Sequence, residues 1–351
     1  MSQKKINFRK IINRLIIFIS IGVGAHILFV LLTTEKSLLT YLQRLSLLHI
    51  VSIIFLLFTP WALYALRVYV WSKFLNEKIN YPTLLRIVIT SELASALSPT
   101  AVGGAPVKAA LLLNYGFSVG NAGFLLTYGV IEDIVFYSTG ILLATLFSIG
   151  VMGDVTHAIY ALINSHIVAL SILISLLIIY VYLLRTHKMP EKYRLWKYLP
   201  NGIKNRIIRF RIKIRESWSE LKSNFKRALK SGKKVMAFSL LMLFLQWIAK
   251  FTVLLVVLHA FGISFEPIQV YLRQWVVYVT MLLVPTPGAT GGAEASFLLI
   301  FGKSIPEGLS YLIVSVWRLF TYYFVLLSAV IFYNVLSALQ RKEEEVFIDN
   351  G

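Results

Sequence analysis

Residues 285–294 read Pro285-Thr286-Pro287-Gly288-Ala289-Thr290-Gly291-Gly292-Ala293-Glu294, inside an otherwise apolar region. Ile268–Val284 precedes the motif and Glu294–Phe301 resumes the run. An undisturbed helix cannot pass through such a composition, because proline removes an amide donor and glycine loosens the backbone. The pattern occurs a second time. Thr83–Ser98 is apolar, Pro99-Thr100-Ala101-Val102-Gly103-Gly104-Ala105-Pro106 interrupts it, and Val107–Leu113 continues. Both interruptions contain P-x-x-x-G-G-A, from Pro99 to Ala105 and from Pro287 to Ala293. Pro82 and Pro267 open the two broken elements, 17 and 18 residues before Pro99 and Pro285.

Long apolar runs surround both motifs. Ile11–Leu32, Ser46–Trp71, Ile159–Leu184, Val235–Phe261 and Leu309–Leu336 each reach the roughly 20 residues that cross a bilayer core. The chain of 351 residues is 58% hydrophobic and 15% charged, whereas soluble domains are about half apolar and a quarter charged. The fold class is therefore all-α, a polytopic membrane protein. Six full spans are expected at about 11–32, 46–71, 120–150, 159–184, 235–261 and 309–338, with two broken re-entrant helical hairpins between them. The organisation predicted is a tail, first span and outer loop over 1–45, a first repeat over 46–150 and a connecting span over 151–184. A basic segment over 185–234 follows, then an inverted repeat over 235–338 and a tail over 339–351.

Charge orients the spans. Of the net +19, the segment Arg185–Lys234 carries +14, from 17 Lys and Arg against three Glu. The positive-inside rule places it, and Lys4–Arg14, on the cytoplasmic side, so that both termini are cytoplasmic in a bacterial-type inner membrane. The first repeat then starts outside and the second inside. The two are inverted across the membrane, whether each broken element is a re-entrant hairpin or two short crossings. Within the basic segment Ile203, Ile207, Phe210, Ile214, Trp218, Leu221, Phe225 and Ala228 recur at helical spacing. Such a helix is expected along the inner leaflet over 203–234, either anchoring the topology or capturing anionic lipids. Nothing in it resembles a nucleic-acid reading motif.

Several chemistries are excluded. There is no cysteine, so disulfides, thiolate nucleophiles and cysteine-ligated metals are out. The six histidines are scattered, with no H-E-x-x-H, and no phosphate-binding G-x-x-x-x-G-K-[ST] loop appears. No metal or other cofactor is implied. The N-terminal basic and apolar stretch lacks an A-x-A-like cleavage site and reads as a retained span.

Interrupted helices at matching places in two halves point to a transporter's substrate site. Their N-termini present unpaired amides and positive dipole ends, which suit a phosphate or carboxylate. Glycines that merely permit close helix crossing are the alternative. The candidate substrate-binding set is Pro99, Gly103, Gly104, Lys108 and Arg86 in the first half, with Pro287, Gly288, Gly291, Gly292, Glu294 and Arg318 in the second. Glu294 either caps its own helix or meets substrate, and Lys108 either meets an anion or snorkels to the interface. Glu132, Asp133 and Arg318 lie inside spans, where each costs about 2.5–3.5 kcal/mol on a lone helix. Arg318 follows Glu132 by 186 residues, the offset that separates Pro285 from Pro99. The two are expected either to form a structural ion pair across the repeats or to serve phosphate binding and proton coupling. Lys250 is expected near Glu92 or Glu294.

Ser98-Pro99-x-x-x-Gly103-Gly104-x-x-x-Lys108, Pro285-Thr286-Pro287-Gly288-x-x-Gly291-x-x-Glu294 and the Arg318…Tyr322 stretch resemble the lysylphosphatidylglycerol synthase/flippase transmembrane family. This is the membrane half of multiple peptide resistance factor-like proteins. The similarity covers about residues 10–338, with Ala289 standing where a further glycine is common. It implies handling of membrane phospholipids, with lipid translocation as the usual activity. Aminoacylating members carry a separate soluble acyltransferase domain after the spans, and the 50-residue basic segment is too small for one. A flippase-like translocase is therefore expected rather than an enzyme. The alternatives are the membrane component of a lipid-modifying system, with a separate enzyme partner, and an ion-coupled carrier of a small anion.

Overall fold

The computed structural model describes residues 40–98, 103–147, 200–282, 284, 286, 288–306 and 308–335. Among these residues the chain is helical, with no strand. A short 3₁₀ turn at Thr40–Arg44 leads into α1, Leu47–Phe74. The first hairpin follows as α2 (Tyr81–Leu97) and α3 (Gly104–Asn114), then the long α4 (Val119–Phe147). The basic helix α5 spans Asn201–Ser231 and turns at Gly232 into α6, Lys233–Ala260. The second hairpin comprises α7 (Pro267–Leu282) and α8 (Gly292–Phe301). Last comes α9, which starts at Leu309–Arg318, passes through a π-helical turn at Leu319–Phe324 and continues to Val335.

Four of these helices are long and apolar enough to cross a membrane: α1, α4, α6 and α9. They coincide with the expected spans 2, 3, 5 and 6. The expected spans at 11–32 and 159–184 lie outside the described residues, as do the tail at 339–351 and residues 185–199. The hairpin helices are different in kind. At about 1.5 Å per residue, 17 residues reach about 25 Å and 11 reach about 16 Å, less than the roughly 30 Å hydrocarbon core.

Local chemistry sets the helix ends. Asn80 accepts from the amide of Thr83 to start α2, with Pro82 in the first turn, where its missing N–H costs nothing. Ser46 and His49 cap α1 reciprocally, the His49 ring replacing the usual Glu. Pro60, in the middle of α1, is buried.

The units pack reciprocally. α1 and α6, the first helices of each unit, run antiparallel in close contact: Trp71 donates to Ser239 Oγ at 3.1 Å, while the His49 and His259 rings lie 5.8 Å apart at the other end. In each hairpin the second helix folds back on the first; Arg273 near the start of α7 reaches the Ser304 hydroxyl beyond the end of α8 at 2.6 Å. The first helix of each hairpin then lies against the last long helix of the other unit. α7 meets α4, where Gly140 leaves room for the Trp275 ring. α2 meets the later part of α9, with Leu93, Ala96 and Leu97 against Tyr322, Tyr323 and Leu326. The main core gathers Phe136, Trp247, Phe251, Trp275 and Trp317 among aliphatic side chains of α4, α6, α7 and α9.

The basic helix uses its apolar stripe in two ways. Ala228, Phe225 and Leu221 dock on α4, Phe225 against the Phe124 ring at 4.9 Å. Around them Ser118 donates to Glu220 at 2.7 Å, Asn224 to Asn121 at 2.7 Å and Asn121 to Glu77 at 2.7 Å. Farther toward its start Ile203 and Trp218 remain exposed. The leaflet-lying helix expected over 203–234 is thus partly a protein-packing element, because its last turns find Phe124 and Tyr128 as apolar partners.

Candidate functional site

The second interruption is built around left-handed backbone. Gly288 has φ 59°, Ala289 53° and Gly291 84°. At Gly288 a Cβ would also overlap the Tyr322 ring, so this position needs glycine for space and conformation together. The turn is held by ions. Arg318, 2% exposed, donates from Nη2 to the Gly288 carbonyl at 2.9 Å and from Nε to Glu294 Oε1 at 3.0 Å. The other Glu294 oxygen accepts from the Gly291 amide at 2.7 Å, capping α8. Glu294 therefore caps its helix and pairs with a buried arginine at once.

The first interruption is held by serines. Ser98 Oγ accepts from the Gly103 amide at 2.8 Å. Cβ atoms at Gly103 and Gly104 would overlap Ala94, Ser98, Ser91 and Ser95, so the two glycines let α3 fold tightly on α2. Pro99 and Pro287 lie outside the described residues. The two interruptions meet through one side chain. Tyr322 donates to the Ala96 carbonyl near the end of α2 at 3.2 Å and hydrogen-bonds the Thr290 side chain in the second interruption.

The expected Glu132–Arg318 pair does not form. Glu132, 3% exposed, pairs with Arg67 at 2.5 Å, and Arg67 also donates to Gln246 at 3.2 Å. The physical reason is proximity: α1 carries Arg67 beside Glu132, while Arg318 lies against the turn whose carbonyl and carboxylate it satisfies. Lys108 and Glu294 are separated by the same 186 residues as Glu132 and Arg318, with signs exchanged. The second unit joins its two directly. In the first, Lys108 is 4% exposed and donates to the Tyr64 hydroxyl at 2.7 Å instead. Asp133 lies in the field of Arg67, Lys108, Lys250 and Glu92. Arg86 stands apart from this group, with its guanidinium 5.7 Å from the Tyr333 ring.

Between the units lies a cavity of about 160 Å³. Leu57, Pro60 and Trp61 of α1 and Glu92, Leu93 and Ala96 of α2 form one side; Lys250, Tyr278 and the α9 residues Thr321, Tyr322 and Val325 form the other. Its charged groups are Glu92 and Lys250, one from each unit. Lys250 rests 4.6 Å from the Trp247 ring centroid. The structure thus gathers Gly288, Gly291, Glu294 and Arg318 into one clamp at Tyr322, and Lys108 into a separate charged group with Asp133.

Sequence reasoning missed Arg67, whose place near the end of a span reads as an interfacial cation. It also missed Trp61, Tyr278 and Thr321, which look like ordinary residues of apolar helices. The signal available was Gln246, a second polar residue inside an apolar span.

A bundle of apolar spans with two interrupted hairpins locked at their turns is a multi-pass helical membrane protein. The chain belongs to the lysylphosphatidylglycerol synthase TM region family, which matches residues 17–329. It is also similar to a UPF0104 membrane protein of Archaeoglobus fulgidus, 27% identical over 281 residues, covering 75% of this chain and 79% of the relative.

Proposed function

We propose that this protein is a flippase-like translocase, moving a phospholipid or lipid-linked headgroup between the leaflets of a bacterial-type inner membrane. The observation that carries this reading is the cavity shared by the two units, with its ions Glu92 and Lys250 and the two interruptions tied at its rim by Tyr322. A cavity built from both halves changes its exposure when one half rocks against the other, which is how inverted-repeat carriers alternate access. The family supports a lipid as cargo. Arg318 and Glu294 hold the second turn in shape, and Lys108 adds positive charge beside the path. With both termini cytoplasmic, the exposed start of α5 meets anionic lipids of the inner leaflet, each basic residue contributing about 1 kcal/mol.

Purified protein in liposomes with fluorescent phospholipids tests this, as headgroup reduction from outside reads transbilayer movement. The protein should accelerate movement over empty liposomes. The chain has no cysteine, so Leu93→Cys with Leu326→Cys offers two unique thiols in helices lining the cavity. A bifunctional reagent joining them should stop movement, while the unlinked variant stays active. No acceleration for any phospholipid would reject the translocase, and full activity after complete cross-linking would reject alternating access through this cavity. The family's description as the membrane region of a synthase favours one other reading, a membrane component serving a separate lipid-modifying enzyme. New lipid species on overexpression, seen by mass spectrometry, would favour it; redistribution of existing lipids favours translocation.

A further inference from the structure

Among the described residues the buried ions Arg67, Lys108, Glu132 and Arg318 all have intramolecular partners, whereas Glu92 and Lys250 are half-buried. Arg67 holds Glu132, Arg318 holds Glu294, and Lys108 holds the Tyr64 hydroxyl. Glu92 and Lys250 differ. Like Asp133, neither makes a hydrogen bond or salt bridge among the described residues; unlike Asp133, both line the cavity, on opposite units.

The charges around them balance. The group about Asp133 comprises Arg67, Lys108 and Lys250 against Glu92, Glu132 and Asp133. Formally that is three cations and three carboxylates. A ligand with net charge would leave an uncompensated ion in a poorly solvated place, which is costly. A ligand carrying one charge of each sign leaves the sum unchanged and gives each free group a partner. The walls suit its cationic end, since Trp61 and Tyr278 place aromatic side chains in the lining, where an ammonium gains from a nearby ring. At about 160 Å³ the cavity is smaller than the roughly 300–1,000 Å³ of sites that enclose drug-sized ligands, so it takes a headgroup and leaves acyl chains outside.

From this geometry we propose that the cavity binds a zwitterionic phosphoamine group, with Glu92 taking the ammonium and Lys250 the phosphate. As a lipid site this rests on the translocase reading and specifies its cargo. Because Glu92 belongs to α2 and Lys250 to α6, one bound zwitterion ties the two units together.

The test is binding to the full-length protein in non-ionic detergent, by native mass spectrometry, using short-chain phosphatidylethanolamine, short-chain phosphatidylglycerol and soluble phosphoethanolamine. Phosphatidylethanolamine should bind about tenfold or more tighter than phosphatidylglycerol, since a hydrogen bond to a charged group is worth about 1.5–3 kcal/mol. Glu92→Gln should remove that preference and Glu92→Asp should keep it. Lys250→Gln should weaken both lipids about tenfold. Thermal melts of each variant separate lost binding from lost folding, and the near-isosteric Glu92→Gln change keeps the cavity filled. Equal or tighter binding of phosphatidylglycerol, or a preference that survives Glu92→Gln, overturns the proposal.

The liposome assay separates this proposal from the translocase reading. Selective binding without lipid movement supports the site and removes the translocase. Movement with phosphatidylglycerol as favoured as phosphatidylethanolamine does the reverse. Glu92-dependent binding of soluble phosphoethanolamine, with no lipid bound, supports the zwitterion site and assigns it to a free ligand.

Discussion

Gly288 and Gly291 look alike in sequence and differ in what surrounds them. Both have positive φ, where a side chain costs about 1–3 kcal/mol. At Gly291 a Cβ would meet nothing, whereas at Gly288 it would enter the Tyr322 ring. Gly291→Ala should therefore lower stability through backbone strain alone, by about 1–3 kcal/mol in a thermal melt. Gly288→Ala should lower it by several kcal/mol more or displace Tyr322, releasing its bond to Ala96. Equal effects of the two substitutions would mean that the Tyr322 contact does not constrain the turn. Ala289, at φ 53°, accepts the same left-handed backbone with a methyl group and is buried. The glycine pattern thus revealed an interruption, but not which glycine carries the steric demand. That depends on Tyr322, 34 residues away in the chain.

At the scale of elements, the broken hairpins and the four described spans were legible in the sequence, since each rests on a local signal. Pro82 and Pro267 lie at the helix starts, and apolar length marks α1, α4, α6 and α9. What local signals lack is the choice of partner. The 186-residue offset identified Glu132 and Arg318 as matched positions, yet pairing follows helix neighbours, and Arg67 on α1 was closer. The double use of the α5 stripe was hidden for the same reason. Its docked end depends on Gly120, where a Cβ would overlap the Glu220 carboxylate. Gly120→Val should push Glu220 away, break its bond to Ser118 and loosen the end of α5. Limited trypsin digestion should then cut among Lys222, Lys226, Arg227 and Lys230 several-fold faster than in the unaltered protein. An unchanged cleavage rate would show that the helix holds its place without this polar contact.

At the scale of the whole molecule, each half completes the other: α7 packs on α4 and α2 packs on α9, so the main core is shared between the units. The helix that joins the clamp to the cavity is α9, and it is irregular between the two. Arg318 ends its regular first part, and the π-turn Leu319–Phe324 carries Thr321 and Tyr322 to the cavity wall. π-turns are rare inside helices and gather at functional places. Each holds one residue more than regular winding would, and one residue corresponds to about 100° of rotation around a helix axis. The turn is thus a loaded screw thread: if the surplus residue slips toward either end, the wall turns while Arg318 or the later helix stays fixed. Deleting Phe320 would absorb the surplus and leave both flanks in register. The shortened protein should fold, as a circular dichroism melt would show, and should no longer move lipid in liposomes. Full movement after the deletion would mean the extra residue is idle; its loss would make the bundle's gearing a matter of counting residues, with one tyrosine as the tooth.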